Sequence, residues 1–143
     1  MLAIAHRGNF DGPSKFENEP NHVLKTWRMG YDVEVDVSYI DGKFYLGHDT
    51  PDYEVDSSFL QMTGVWCHAK TIEALHAMLD YEGINCFWHQ EDDFTLTSKN
   101  YIWTYPGKFG TRRSVIVDLH KNWILKNYSG VFGICTDYPN QKP

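Results

Sequence analysis

The chain has 143 residues, 42% of them hydrophobic and 15% aromatic, enough for one core that buries about two-thirds of the unfolded surface. A single domain over residues 1–143 is therefore expected. The net charge is -6 and the 13 basic residues are scattered, so neither a nucleic-acid footprint nor an attraction to anionic membranes is indicated. The three cysteines, Cys67, Cys86 and Cys135, have no CxxC spacing, which argues against a disulfide framework or a structural zinc site. No signal-like opening stands at the start, and no apolar run approaches the ~20 residues of a membrane span, so a cytoplasmic protein is expected.

In chain order, "LAIAH" (2–6) reads as a first strand. "NEPNHVLKTWRMG" (18–30) then reads as a helix, with Asn18 or Glu19 as N-cap, Pro20 in the first turn, an apolar face of Val23, Leu24 and Trp27, and Gly30 as the stop. "VEVDV" (33–37) and "FYLGH" (44–48) are strands joined by Asp41-Gly42, a strong hairpin signal that returns the second run antiparallel and carries His48 back. "VWCHAK" (65–70) is a strand, "TIEALHAMLDYEG" (71–83) a helix, and "NCFWHQE" (85–91) a strand. No helix is evident from Asp92 to Arg113, where Phe94 to Thr97 and "YIWTY" (101–105) fit short strands. "SVIVDLH" (114–120), a weaker helix "KNWILKN" (121–127) and the strand "VFGICTD" (131–137) follow. Strand and helix in alternation argue a parallel α/β sheet, because parallel connections need crossovers.

Residues two apart on a strand share a face. Glu34 and Asp36 therefore stand together, opposite Val33, Val35 and Val37. Two enclosed carboxylates repel, and one must take a proton unless a cation lies between them, for which a hard divalent ion is suited. The plain alternative is a half-exposed strand with a wet acidic face. The same spacing pairs His68 with Lys70, His89 with Glu91, and Asp118 with His120, so polar side chains gather at strand ends. The aromatic residues of "FWHQ", "YIWTY" and "NWIL" are expected to pack in or around the core, His22 and His76 to be solvated, and Asn9, Gly12 and Pro13 to lie in loops.

"AHRG" (5–8), "ENEP" (17–20), "GYDVEVDV" (30–37), "GKFYLGHD" (42–49) and "GICTDYP" (133–139) together resemble the signatures of the glycerophosphodiester phosphodiesterase family, in the same order and across nearly the whole chain. The resemblance implies a TIM-type (β/α) barrel and a divalent-cation-dependent cleavage of small phosphodiesters of glycerol-linked alcohols. It implies His6 and His48 as the general acid and base, Arg7 on the phosphate, and Glu34 and Asp36 on the metal. Lys70 matches a second phosphate contact, and His68 stands where the family has a third, glutamate metal ligand, which leaves Mg²⁺, Ca²⁺ or Mn²⁺ open. Trp103, with Tyr105, is a candidate to stack on the substrate alcohol. Because such barrels take about 250 residues, a shortened one is expected, with several helices reduced or missing and a shallow cleft. The rival expectation is a non-catalytic phosphate- or sugar-binding pocket, and a reaction that releases a cyclic phosphate is a variant of the first.

Overall fold

In the computed structural model, which describes residues 1–141, ten strands form one curled mixed sheet. They are β1 (Leu2–Ala5), β2 (Asp32–Ile40), β3 (Lys43–Leu46), β4 (Tyr53–Val55), β5 (Val65–Ala69), β6 (Asn85–Phe87), β7 (Phe94–Leu96), β8 (Ile102–Thr104), β9 (Ser114–Val117) and β10 (Gly133–Thr136). Three helices accompany them, α1 (Pro20–Arg28), α2 (Ser57–Leu60) and α3 (Ile72–Leu79), with 3₁₀ turns at His6–Gly8 and Trp123–Leu125.

A parallel path runs β6-β5-β2-β1-β10-β9-β8, while β3 on β2, β4 on β3 and β7 on β8 are antiparallel. The expected TIM-type barrel is therefore not the fold. The sheet does not close: among the described residues no ladder joins β6 to β8. Ser98 stands beside β6 instead, giving its N–H to the Cys86 carbonyl while its Oγ accepts from the Cys86 N–H at 2.9 Å. The physical reason is chain length. The residues between β6 and β8 are spent on the antiparallel strand β7, those between β8 and β9 on a loop, and the weak helix at 121–127 shrinks to one 3₁₀ turn. None of the three helices is long and apolar enough to cross a membrane.

The two stronger helices form as the sequence dictates. Glu19 caps α1 by accepting from the N–H groups of Asn21 and His22, and Thr71 caps α3 by accepting from Ala74. Asp41 and Gly42, both at positive φ, make the turn between β2 and β3. Tyr53–Val55 and Ser57–Leu60 form elements that the apolar pattern is too short to signal.

Alternation then sorts the side chains into two layers. Val33, Val35 and Val37 of β2 with Cys67 and Ala69 of β5 join the core under the helices, which includes Val23, Leu60, Ala74 and Met78. Inside the curl, Ile4, Trp66, Phe87, Trp103, Val115 and Cys135 form a second core. Its rings interlock, with Phe87 stacked on Trp103 at 4.4 Å and Trp66 against Tyr101 at 5.0 Å. Aromatic pairs of this kind add roughly 0.5–1.5 kcal/mol each beyond the area they bury.

One backbone position sets where His48 stands. Gly47 has φ +151, and a Cβ built there would lie 1.9 Å from the Thr50 carbonyl oxygen. Its N–H donates to the Asp36 carbonyl at 3.1 Å, which ties the loop to β2 just past the end of β3. Gly47→Ala should therefore cost roughly 3 kcal/mol or more of stability, from strain and the steric clash together. Urea denaturation of the two proteins checks this, with a lower midpoint at unchanged slope as the expected result.

Candidate active site

The inward face of β2 carries Glu34 and Asp36, and the next strand, β5, puts His68 beside them because His68 is in register with Asp36. Both carboxylates are almost wholly buried, at 2% and 1% exposure. One ligand atom from each of the three lies within 4.8 Å of the other two. They border a pocket of about 230 Å³ whose walls also include His6, Arg7, His48 and His89.

Asp36 is the most heavily partnered group there. Asn18 meets it twice: its Oδ1 accepts the Asp36 N–H at 2.9 Å, and its Nδ2 donates to Asp36 Oδ2 at 3.0 Å. Arg7 Nε lies 3.0 Å from the same oxygen, while His68 Nδ1 at 3.3 Å and Lys70 Nζ at 3.7 Å face Oδ1. Burial alone would raise the Asp36 pKa, yet His68, Arg7 and Asn18 outweigh it and hold the carboxylate well below its ordinary range. Glu34 is pushed the other way, up from its ordinary value, by burial first and by the Asp36 charge second. This is the outcome that repulsion between enclosed carboxylates requires, and it sorts the pair by partner rather than by sequence.

Arg7 sits at φ 52, in the left-handed region, inside the 3₁₀ turn. Its N–H donates to Glu34 Oε2 at 3.2 Å, its carbonyl accepts from Asn18, and its Nη1 donates to Glu17 at 3.0 Å. Gly8 then passes so close to α1 that an added Cβ would stand 2.9 Å from Val23 Cα. The turn is thus clamped between α1 and β2.

The imidazoles differ in their surroundings. His6 Nδ1 is 2.8 Å from Asp137 Oδ1, which also accepts from Asn9 Nδ2 at 2.8 Å. Burial pushes the His6 pKa down, but the Asp137 hydrogen bond and the Glu34 charge prevail, so it is raised above 6.5. His48 is 42% exposed, with Nδ1 2.7 Å from Asp49. His68 stacks on Phe87 at 5.1 Å and on His89 at 4.6 Å, the latter nearly parallel at 6°.

The residues singled out by sequence mostly converge. His6, Arg7, Glu34, Asp36, His48, His68 and Trp103 line one pocket, and Lys70 joins it through Asp36. Trp103 is 5% exposed and stacked on Phe87, so it is a wall of the site and mostly core. Tyr105, at 53% exposure, lines the rim. Asp118 and His120 do not converge. They line a separate groove, where Asp118 pairs with Lys126 and Tyr128. Asn9, expected in a loop, is fully buried and joins Glu17 to Asp137. Glu17, Asn18 and Asp137 are the supports that residue-by-residue reasoning missed, although the quoted "ENEP" and "TDYP" stretches contain all three.

No protein-family model matches the chain, and comparison with curated proteins and with solved structures finds no match. The site's own geometry is therefore the ground for a functional reading.

The split between the carboxylates gives a stability test in chelator-treated buffer. Glu34, with its raised folded pKa, contributes stability at pH below its ordinary value of 4.5 that is lost as pH rises through the raised value. Glu34→Gln should thus be as stable as the parent, or more stable, at pH 7. Asp36, held low, contributes stability at pH above its ordinary 3.8 that is lost as pH falls. Asp36→Asn should therefore lose roughly 2–4 kcal/mol at pH 7, because Arg7 is left facing a neutral group. Denaturation of both variants across pH 4–8 measures the contrast.

Proposed function

We propose that this pocket is the active site of a divalent-cation-dependent phosphodiester hydrolase acting on a small, glycerophosphodiester-like substrate. The observation that carries the reading is the meeting, in one pocket, of a buried two-carboxylate, one-imidazole donor set with an arginine and two further histidines on other elements. Glu34, Asp36 and His68 fit a divalent cation: their donor atoms converge, two of the three residues are nearly inaccessible to water, and Glu34 carries a repulsion that a cation would relieve. A mixed oxygen and nitrogen set accepts Mn²⁺ as well as Mg²⁺, and suits Ca²⁺ least. When bound, the cation would polarise a non-bridging phosphoryl oxygen.

The chain's own groups supply the rest. A phosphodiester carries one negative charge and gains more in its pentacovalent transition state, which Arg7 on the pocket wall and Lys70 behind Asp36 offset. His6, with Nδ1 occupied by Asp137, turns Nε2 to the reaction, and the same Asp137 contact and the Glu34 charge raise its pKa and so favour the doubly protonated ring that an acid needs. It is suited to give its Nε2 proton to the leaving alkoxide as the P–O bond breaks. His48, on the solvent side, is suited to take the proton of the attacking hydroxyl as the new P–O bond forms. That hydroxyl is water, or a neighbouring hydroxyl of the substrate, which would release a cyclic phosphate first.

The test is a panel of phosphodiesters with Mg²⁺, Ca²⁺ or Mn²⁺, with products followed by phosphorus NMR. Turnover that needs a divalent ion is the expected result. A pocket that binds phosphate or sugar and hydrolyses nothing would mark a binding module instead. Within an active protein, Glu34→Gln should abolish turnover, and His6→Ala or His48→Ala should each lower it by about 10²- to 10⁴-fold. Asp137→Asn should remove the group that raises the His6 pKa, so the alkaline limb of the pH–rate profile moves to lower pH. An unmoved limb would exclude His6 as the acid.

A further inference from the structure

Three features stand outside the roles assigned above: the Asp118, Lys126 and Tyr128 groove, the exposed Ile72 and Leu79 face of α3, and His89. The first is internally satisfied, since Asp118 is matched by Lys126, by the Tyr128 hydroxyl and by the His120 N–H. The second is an apolar face with no feature that selects an occupant. His89 differs from both because it borders the catalytic pocket with unused hydrogen-bonding capacity.

His89 follows the last residue of β6 by two positions, and its ring lies 4.6 Å from that of His68 at 6°. The stack holds one face of the His89 ring and leaves the ring edge, which carries both nitrogens, free of that contact. No side chain among the described residues hydrogen-bonds to the ring, Nδ1 is buried without a well-formed partner, and the remaining polar approach is the backbone of the neighbouring Gln90. A buried polar atom in that state is uncommon in native proteins unless a ligand or water meets it. The other cationic groups of the pocket each face a carboxylate. Arg7 Nη1 bonds Glu17, Arg7 Nε faces Asp36, Lys70 faces Asp36, and the Nδ1 atoms of His6 and His48 are held by Asp137 and Asp49.

We propose that His89 is a substrate-binding residue whose ring N–H donates to an oxygen of the bound phosphodiester, opposite no competing carboxylate of its own. The assignment rests on the reading that this pocket holds a phosphodiester, and it deepens it by naming a third imidazole that touches the substrate. The ring has two separable duties. Its face buttresses His68, and its edge meets the ligand.

Substitution can split those duties. His89→Phe keeps a flat ring against His68 and removes both nitrogens, whereas His89→Ala removes ring and nitrogens together. The probes are dimethyl phosphate, a simple dialkyl diester that hydrolyses very slowly without a catalyst, followed by phosphorus NMR line broadening, and Mn²⁺, followed by its electron paramagnetic resonance signal. A hydrogen bond to a charged group is worth enough that His89→Phe should weaken dimethyl phosphate binding about 10- to 100-fold, with KM for a hydrolysed diester rising alongside. Mn²⁺ affinity should stay at the parent value in His89→Phe, and circular dichroism should report an unchanged fold. Parent-like dimethyl phosphate binding by His89→Phe would overturn the proposal, as would a loss of Mn²⁺ affinity in step with it, since the role would then be support of His68 alone. A parent protein that binds dimethyl phosphate through His89 yet hydrolyses no diester would refute the hydrolase and leave the contact standing. A parent that does not bind dimethyl phosphate would refute the contact.

Discussion

Taking the Asp36 carboxylate out of water costs several kcal/mol, which must be offset by groups held at hydrogen-bond distance. Much of this molecule's polar interior follows from that requirement. Asn18, Arg7, His68 and Lys70 surround the carboxylate, brought by three segments, since His68 and Lys70 both come from the end of β5. Arg7 continues to Glu17, Glu17 to Asn9, Asn9 to Asp137, and Asp137 to His6. A continuous run of charge-assisted contacts thereby links the Asp36 carboxylate to the His6 imidazole. Such networks are strong only when every member is satisfied, which makes them specify one arrangement.

The same network explains why β2 can carry two neighbours on one edge. β1 pairs only with its start, at Asp32 and Val33, and β3 only with its end, from Val37 to Ile40. Between them the Asp36 N–H has no strand to bond, and the Asn18 side chain fills that place as a short imitation of a ladder. The residue that completes the sheet is thus also the residue that orients the acid. A change at Asn18 would be felt in the fold and in the site together.

Much of this was legible. Period-2 alternation in "VEVDV" fixes which side of β2 is acidic, and the Asp41-Gly42 turn fixes that His48 returns to it. The two capped helices and most strands also follow from local pattern. What failed was closure. Local pattern records strands but not their number of partners, and the barrel expectation drew on the resemblance rather than on any residue that could seal β6 to β8. Asn9, Glu17 and Asp137 were obscured for a related reason. A polar residue in a loop gives no sign of burial, because burial there is decided by contacts 8 to 131 positions away. Asp118 and His120 erred in the opposite sense: the spacing was right, but Asp118 faces the outer side of β9 with Lys126.

An open sheet places a particular demand on this site. In a closed barrel, neighbouring strands hold every wall. Here the β6 to β8 side lacks a ladder, and aromatic packing stands in its place, with Phe87 of β6 stacked on Trp103 of β8 at 4.4 Å. Phe87 in turn stacks on His68, and His68 on His89, so the rings that bridge the opening also fix the imidazole nearest the carboxylates. Stacking is less directional than a ladder but buries more apolar surface per contact. The outcome is a pocket whose acidic side is held by hydrogen bonds along β2 and whose imidazole side is held by rings across a gap. Disturbing Trp103 should therefore reach His68 through Phe87, although Trp103 is not itself among the groups within ligand distance of the carboxylates.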